Sequence, residues 1–242
     1  MRYGIVADIH ANLAAFEAVL ADMGQVDALW CLGDLVGYGP DPNECIELLR
    51  RHNHQCVIGN HDLAAIGRLD TTDFNATAAE AAEWTARNLT DRSRLYLEGL
   101  PEKVVVESFT LVHGSPRSPV WEYIFEESRA AVNFDQFDTQ ACLVGHTHVP
   151  ALYIQEAASH KIIGRIPGPG DKVDVTQSRI LANPGGVGQP RDGDPRAAYA
   201  IYDSDSGILE WRRIGYPIQI TQQRMRDAGL PTRLIERLDF GW

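Results

Sequence analysis

The chain has 242 residues, with 22 Lys or Arg against 33 Asp or Glu, a formal charge of −11. A surface of that sign repels phosphate backbones, which excludes general nucleic-acid binding through a basic face. A hydrophobic content of 44% and a charged content of 23% exclude wholesale disorder and allow a sizeable buried core.

In chain order, the apolar run over residues 3–7 predicts a strand buried on both faces. Leu13, Phe16, Leu20 and Met23 recur at helical steps, with Asn12 as N-cap. Residues 28–32 form the next strand, and Asp41-Pro42-Asn43-Glu44 opens a second helix with a cap, an early proline and a following glutamate. A third strand covers 55–58, so the order is β-α-β-α-β with parallel pairing. Residues 75–98 are Ala-rich and read as one or two helices. Beyond Val104 the pattern changes to short strands at 104–112, 141–144, 151–154, 179–182, 198–202 and 208–212. The Gly- and Pro-rich stretch 164–170 reads as an exposed turn.

The expected fold class is α/β (α+β), two packed β-sheets flanked by helices, in one domain over 1–242 with a short helical tail from about residue 217. No apolar run approaches the roughly 18 residues of a membrane span. Asp8 interrupts the apolar start, which does not resemble a signal peptide. Cys31, Cys45, Cys56 and Cys142 form no CxxC pair and read as buried free thiols of a cytoplasmic protein.

Five short segments sit where predicted strands end: Asp8-Ile9-His10, Gly33-Asp34-Leu35-Val36-Gly37, Gly59-Asn60-His61-Asp62, His113-Gly114 and Gly145-His146-Thr147-His148. Ligands collect at the carboxyl ends of strands in open α/β sheets, so these segments can converge. Asp, Asn and His bind borderline and hard divalent cations. Taken singly, several have plainer readings. Asp8 and His10 flank one residue of extended chain and so point the same way, which a polar strand end also explains. Asn60-His61-Asp62 also fits a helix cap. Two imidazoles two apart after an apolar strand, His146 and His148, are harder to place without a metal, and the joint pattern decides. His52, His54 and His160 lie in polar surroundings and read as solvated.

The series DxH, GDxxG, GNHD, H and GHxH resembles the signature of the calcineurin-like metallophosphoesterase superfamily, and Asn183-Pro184-Gly185-Gly186-Val187-Gly188 is similar to a segment of its small bacterial phosphodiesterase branch. The resemblance implies a two-layered β-sandwich with two divalent metal ions at one edge. Asp8, His10, Asp34 and His148 would hold one ion, and Asp34, Asn60, His113 and His146 the other, with the two anionic oxygens of Asp34 bridging. It implies hydrolysis of a phosphodiester or nucleotide-type phosphoanhydride by in-line attack of a metal-bridging hydroxide. His61 would protonate the leaving group, and Asp62 would support the site from behind. Two divalent ions outweigh two carboxylates and a hydroxide, so the pocket is positive on an acidic protein.

One departure matters. Protein phosphatases of the superfamily continue GDxxDRG, whereas Gly37-Tyr38-Gly39 stands here. The carboxylate that would orient His61 and the arginine that would grip a phosphomonoester are absent from that place. Diesters or anhydrides are favoured, with a phosphomonoesterase or a non-catalytic scaffold as the alternatives. Arg191, Tyr38, Trp121 and Tyr123 are candidate substrate contacts, two of the aromatics for stacking on a base. The mixed O/N ligand set suits Mn²⁺, Fe, Zn²⁺, Co²⁺ or Ni²⁺. The expected partner is a small phosphorylated molecule, with a nucleotide among the options, and neither nucleic acid nor membrane. Oligomeric state is left open.

Overall fold

Alternating apolar residues assemble twelve strands into two sheets in the computed structural model, which describes residues 1–242. The first sheet contains β1 (Arg2–Val6), β2 (Ala28–Cys31), β3 (His54–Cys56), β9 (Lys172–Asp174), β11 (Ala197–Asp203) and β12 (Ile208–Ile214). Its order is β3-β2-β1-β11-β12-β9. The second contains β4 (Lys103–Val106), β5 (Phe109–Val112), β6 (Ala141–Leu143), β7 (Ala151–Gln155), β8 (Ile162–Arg165) and β10 (Arg179–Asn183), ordered β4-β5-β6-β10-β7-β8. As expected, β1, β2 and β3 run parallel and are joined by α1 (Leu13–Met23) and α2 (Pro42–Arg50). Asn12 caps α1 by accepting from the Ala15 N–H at 3.2 Å.

Strand periodicity divides the core into layers. Tyr3, Ile5 and Trp30 of the first sheet pack with Phe109, Leu111, Leu143 and Ile180 of the second. The intervening residues Val6, Leu29 and Cys31 face Phe16, Val19, Ile46 and Leu49 of the flanking helices. Trp30 anchors the layer between the sheets, with its ring 4.4 Å from Tyr3 and 5.1 Å from Phe109. On the outside of the second sheet lies α6 (Glu127–Phe134), through Ala130 and Phe134. The tail helices α7 (Ile218–Asp227) and α8 (Thr232–Glu236) pack through Met225, Leu234 and Ile235 on Ala78 and Ala81 of α4 (Ala76–Asn88).

Several expectations need correction. The run 104–112 is two strands with a tight turn at Glu107 and Ser108, because period-2 alternation continues through a hairpin. The turn at 164–170 begins two residues late, since Gly164 and Arg165 complete the edge strand β8, where one ladder face is free. β8, β9 and α6 go beyond the elements read from the sequence, while residues 75–98, expected as one or two helices, form two, α4 and α5 (Asp91–Glu98). Asp41 stands at the N-cap of α2 but makes no capping bond, since its carboxylate accepts from Arg224 at 3.1 Å. His54 is half-buried, with Nε2 2.8 Å from the Tyr96 hydroxyl. All four cysteines are free and buried, as expected.

Trp30→Ala should therefore cost about 3–5 kcal/mol, a fall of roughly 6–20 °C in Tm for a chain of this size. Leu95→Ala, at a position 68% exposed, should stay within about 0.5 kcal/mol. Urea unfolding of both variants checks the layer assignment, and equal effects would overturn it.

Candidate metal centre

All five motif segments follow strand ends, and the fold brings them together at one edge of the sandwich. Asp8 and His10 follow β1, Asp34 follows β2, Asn60 and His61 follow β3, His113 follows β5, and His146 and His148 follow β6. Two buried groups result: Asp8, His10, Asp34 and His148, and Asp34, His113 and His146, with the donor atoms of each within 4.8 Å of one another. Asp34 belongs to both. Asn60 joins the second group, its Oδ1 standing 3.1 Å from His113 Nε2.

The backbone route is not the extended one expected for Asp8 and His10. Both are left-handed, at φ 53° and 47°, as are Asp34 (51°), His146 (66°) and His148 (59°). Such conformations cost about 1–3 kcal/mol each in non-glycine residues and persist where surroundings dictate them. Here neighbouring loops dictate them. Asp8 N–H donates to the Gly33 carbonyl at 3.1 Å, His10 N–H to Asp34 at 2.9 Å, and Gly188 N–H back to Asp8 at 2.9 Å. The 183–190 segment buttresses the last motif. Asn183 Nδ2 donates to the Gly145 carbonyl at 2.6 Å and to the Thr147 hydroxyl at 3.0 Å. Trp211 in turn holds Asn183, its indole N–H donating to the Asn183 carbonyl at 2.8 Å.

Imidazole tautomers are set by the same scaffold. Nδ1 of His10, His113 and His148 lies 3.1, 2.8 and 2.5 Å from the carbonyls of Val36, Leu32 and Gln189. A carbonyl only accepts, so each Nδ1 donates and each ring turns its Nε2 into the site, as a lone pair wherever the ring is neutral. His10 Nε2 and His148 Nε2 then face each other at 3.1 Å. His113 Nε2 faces His146 Nδ1 at 3.0 Å. Two lone pairs at this distance repel unless a proton or a cation lies between them. The Oδ2 atoms of Asp8 and Asp34 are buried with no hydrogen-bond partner. Asp34 Oδ2 stands 3.5 Å from His10 Nε2 and 3.4 Å from His113 Nε2, between the two groups, while Asp34 Oδ1 accepts from the His61 N–H at 2.9 Å. Convergent acceptors with too few donors fit divalent cations.

Protonation follows from burial and charge. Burial holds His10 and His148 well below the ordinary imidazole range and takes His146 down to about 2, so these rings are neutral. Burial, reinforced by Asp34, pushes Asp8 up to about 7. Burial opposes charge at Asp34, but His113 and His61 hold it well below the usual carboxylate range. Although burial opposes it, Asp34 raises His113 to about 9. Proton and metal compete for that nitrogen.

His61 sits beside this cluster without joining it. Its ring packs 4.3 Å from Tyr38, 4.7 Å from Phe74 and 4.9 Å from His10, and its Nδ1 has no partner. Asp62 does not reach it; its carboxylate accepts from the N–H groups of Val36 and Gly59, both at 3.0 Å. Asn60 opens α3 (Asn60–Ala65), with Gly59 at the cap, one residue earlier than the cap reading of Asn60 allowed. Position 59 must be glycine for another reason: a Cβ there would stand 2.1 Å from Asp34 Oδ1.

The candidate substrate contacts separate. Tyr38 packs edge-on to His10 at 4.6 Å, and Tyr123 stacks on His146 at 3.8 Å. Arg191 lies over Tyr38, its guanidinium 5.7 Å from the ring centre, and donates to Gln189 Oε1 at 3.0 Å. Tyr38, Tyr123 and Arg191 line one cavity of about 650 Å³. Trp121 is not part of that lining and meets Phe74 edge-on at 5.8 Å. Residue-type reasoning missed the rest of the cavity, which the tail supplies through Arg233, Arg237, Phe240 and Trp242. These residues carry no motif, and only the path of the tail brings them here.

A metallophosphoesterase from Sphaerobacter thermophilus superposes with a TM-score of 0.92 at 49% identity, over 100% of this chain and 99% of that one. A hypothetical protein from Pyrococcus horikoshii OT3, at 20% identity and a TM-score of 0.82, covers 100% of this chain and 98% of its own and shares the fold. An uncharacterized protein of Methanocaldococcus jannaschii is 36% identical over 98% of this chain and 97% of its own length. A symmetrical bis(5'-nucleosyl)-tetraphosphatase of Pseudomonas putida is 52% identical over 63 residues, 24% of this chain and 22% of that enzyme. The profile of the calcineurin-like phosphoesterase superfamily domain matches residues 1–207, which contain every residue of the two buried groups. With that match and the two-sheet fold, the chain belongs to the calcineurin-like phosphoesterase superfamily, a family of hydrolases acting on phosphoester bonds.

Proposed function

We propose that the chain is a dinuclear metal-dependent phosphoesterase that hydrolyses a phosphodiester or nucleotide-type phosphoanhydride. The observation that carries this reading is Asp34 Oδ2, buried without a hydrogen-bond partner and standing between the inward-facing ring nitrogens of His10 and His113. Asp8, His10, Asp34 and His148 hold one cation, and Asp34, Asn60, His113 and His146 the other. Bound there, divalent cations neutralise phosphoryl charge and acidify an attacking water. The chain's own groups do the remainder. Backbone carbonyls fix the ring orientations, so the lone pairs are preorganised before a cation arrives. Arg191 and Tyr38 position the phosphate on the side open to the cavity.

His61 supplies the proton to the departing oxygen. A general acid of this kind contributes about 10²–10⁴-fold. In this chain its support is apolar, because Tyr38 and Phe74 flank the ring and no carboxylate reaches Nδ1. Burial lowers His61 to about 4, so it is neutral at rest and gains its proton only when an anionic phosphate arrives beside it. A phosphate leaving from an anhydride, whose second pKa is about 6, needs less of that help than an alkoxide does. Gly37, where the protein phosphatases carry Asp, leaves no room for that carboxylate, since a Cβ there would stand 2.7 Å from His61 Nδ1. The partial match to a bis(5'-nucleosyl)-tetraphosphatase supports the anhydride reading. Four unpaired cysteines support a cytoplasmic site of action.

The test is hydrolysis of an aryl phosphodiester, its monoester and a dinucleoside polyphosphate by protein stripped of metal and reloaded with Mn²⁺. Cleavage of the diester or the polyphosphate only after reloading is expected; faster cleavage of the monoester would replace this reading with a phosphomonoesterase. Chelation should also lower Tm by roughly 5–10 °C, equivalent to about 2.7 kcal/mol at a metal concentration of 100 Kd. Asp34→Asn should abolish that metal-dependent shift, which calorimetry with and without chelator checks. His61→Ala should retain bound metal, measured by elemental analysis, and lose about 10²–10⁴-fold in turnover on a poor leaving group. Full turnover in that variant would remove His61 from the mechanism.

A further inference from the structure

We propose that the tail, residues 217–242, builds the leaving-group pocket of this site, and that the pocket takes a nucleotide: phosphates on Arg233 and Arg237, and the planar base against Phe240 and Trp242. This rests on the phosphoesterase reading above and adds to it the part of the substrate that does not react.

The cavity of about 650 Å³ is of a size that holds a mononucleotide. It opens beside the reacting centre, because Tyr38 and Tyr123 belong both to its wall and to the packing of His10, His61 and His146. His61 lies behind Tyr38, which puts the cavity on the side where a leaving group accepts its proton.

Charge identifies the ligand class. Arg191, Arg233 and Arg237 line the cavity, and no Asp or Glu side chain pairs with any of them, whereas Arg50, Arg117 and Arg213 elsewhere each hold one; Arg237 bonds instead to the terminal main-chain oxygen of Trp242. Glu236 is the one carboxylate in the lining, and it is exposed. Three guanidinium groups around one cavity with no Asp or Glu partner are unusual on a chain with a formal charge of −11. Burial, then Arg191 and Arg233, pull Arg237 down to about 10. Cations crowded in this way repel one another, and a polyanion between them offsets the repulsion; planar guanidinium groups match phosphate oxygens in pairs. The first turn of α4, at Ala76 and Thr77, lies on the same wall and adds the positive end of a helix dipole.

Aromatic surface identifies the rest. Phe240 and Trp242 stack on each other at 4.9 Å and remain 51% and 63% exposed at the rim. They are held in place: Arg237 donates to the Trp242 backbone oxygen, and Gly193 N–H donates to the Gly241 carbonyl at 2.9 Å. A base stacked on an aromatic ring gains about 1–3 kcal/mol. The contrasting cavity, about 540 Å³ beyond Thr147, has a single guanidinium, Arg165, which Asp171 neutralises at 2.8 Å.

The experiment is calorimetric binding to the Mn²⁺-loaded full chain of three non-reacting probes: inorganic phosphate, methylenediphosphonate and the α,β-methylene analogue of ADP. Inorganic phosphate reads the reacting centre, the diphosphonate adds the arginines, and the nucleotide adds the base. Arg233→Glu and Arg237→Gln should each weaken the nucleotide analogue at least about 10-fold relative to phosphate, and Trp242→Ala should weaken it relative to the diphosphonate. Arg233 is exposed, so its substitution leaves the fold intact, and Tm measured alongside checks this. Equal shifts for all three probes, or none, would overturn the pocket assignment. The two readings fail separately. Metal-dependent hydrolysis with arginine-independent nucleotide binding removes the pocket alone; arginine-dependent binding without hydrolysis of any phosphoester removes the phosphoesterase reading and leaves a nucleotide site.

Discussion

Electrostatic repulsion among the acceptors at one edge of the sandwich organises most of what surrounds it. Two carboxylates and four imidazoles are buried there, and hydrogen bonds to main-chain carbonyls turn the inner ring nitrogens of three of them, His10, His113 and His148, into the site. A buried charge without a partner is expensive, and so is a buried acceptor without a donor. Such a cluster is tolerated only if something holds it together in the absence of cations and something else is gained when they bind. The holding is mechanical. Loops after β1, β2 and β10 bond to each other through their backbones, and five of the candidate ligands are kept in left-handed conformations. At about 1–3 kcal/mol each, that strain is comparable with the entire net stability of an ordinary domain, about 5–15 kcal/mol.

What offsets the strain is the packing behind it. The Trp30 layer fixes the distance between sheets, and Trp211 reaches from β12 to hold Asn183, which holds the Gly145 carbonyl and the Thr147 hydroxyl. Asn12 performs the same task on the other side. Its side chain caps α1, donates to the Gly188 carbonyl at 2.9 Å and accepts from Thr221 of α7 at 2.7 Å. The tail is thereby attached to the same loop that orients His148 through the Gln189 carbonyl. The cavity beside the tail and the geometry of the candidate ligands share one support.

This arrangement explains which parts were legible in the sequence. The five motif segments could be read because the residue types are themselves the chemistry, and the parallel β1-β2-β3 unit could be read from continuous apolar runs. The conformation of Asp8 and His10 could not, since left-handed φ is imposed by Gly33, Asp34 and Gly188 from other parts of the chain. β8 and β9 escaped because short edge strands need few apolar residues. Asp41 looked like a cap because its position is one; the nearby guanidinium of Arg224 decided where the carboxylate went. The tail showed least. Arg233 and Arg237 are four apart on an ordinary-looking helical segment, and nothing local marks them as facing Arg191 across a cavity.

Local and global electrostatics have opposite signs in this molecule, and the opposition has a consequence for selectivity. An acidic surface slows the approach of extended polyanions, whose many phosphates meet it together. A small anion carries only a few charges, and these are within reach of Arg191, Arg233 and Arg237 once it enters the cavity. With a Debye length of about 8 Å at physiological salt, each field acts over its own range: the surface on what extends along it, the cavity on what fits inside. The same fold edge on a basic protein would admit nucleic acid. On this one, the pocket we propose would take compact phosphates whose non-reacting part is flat enough to meet Phe240 and Trp242 and charged enough to relieve the repulsion among three arginines.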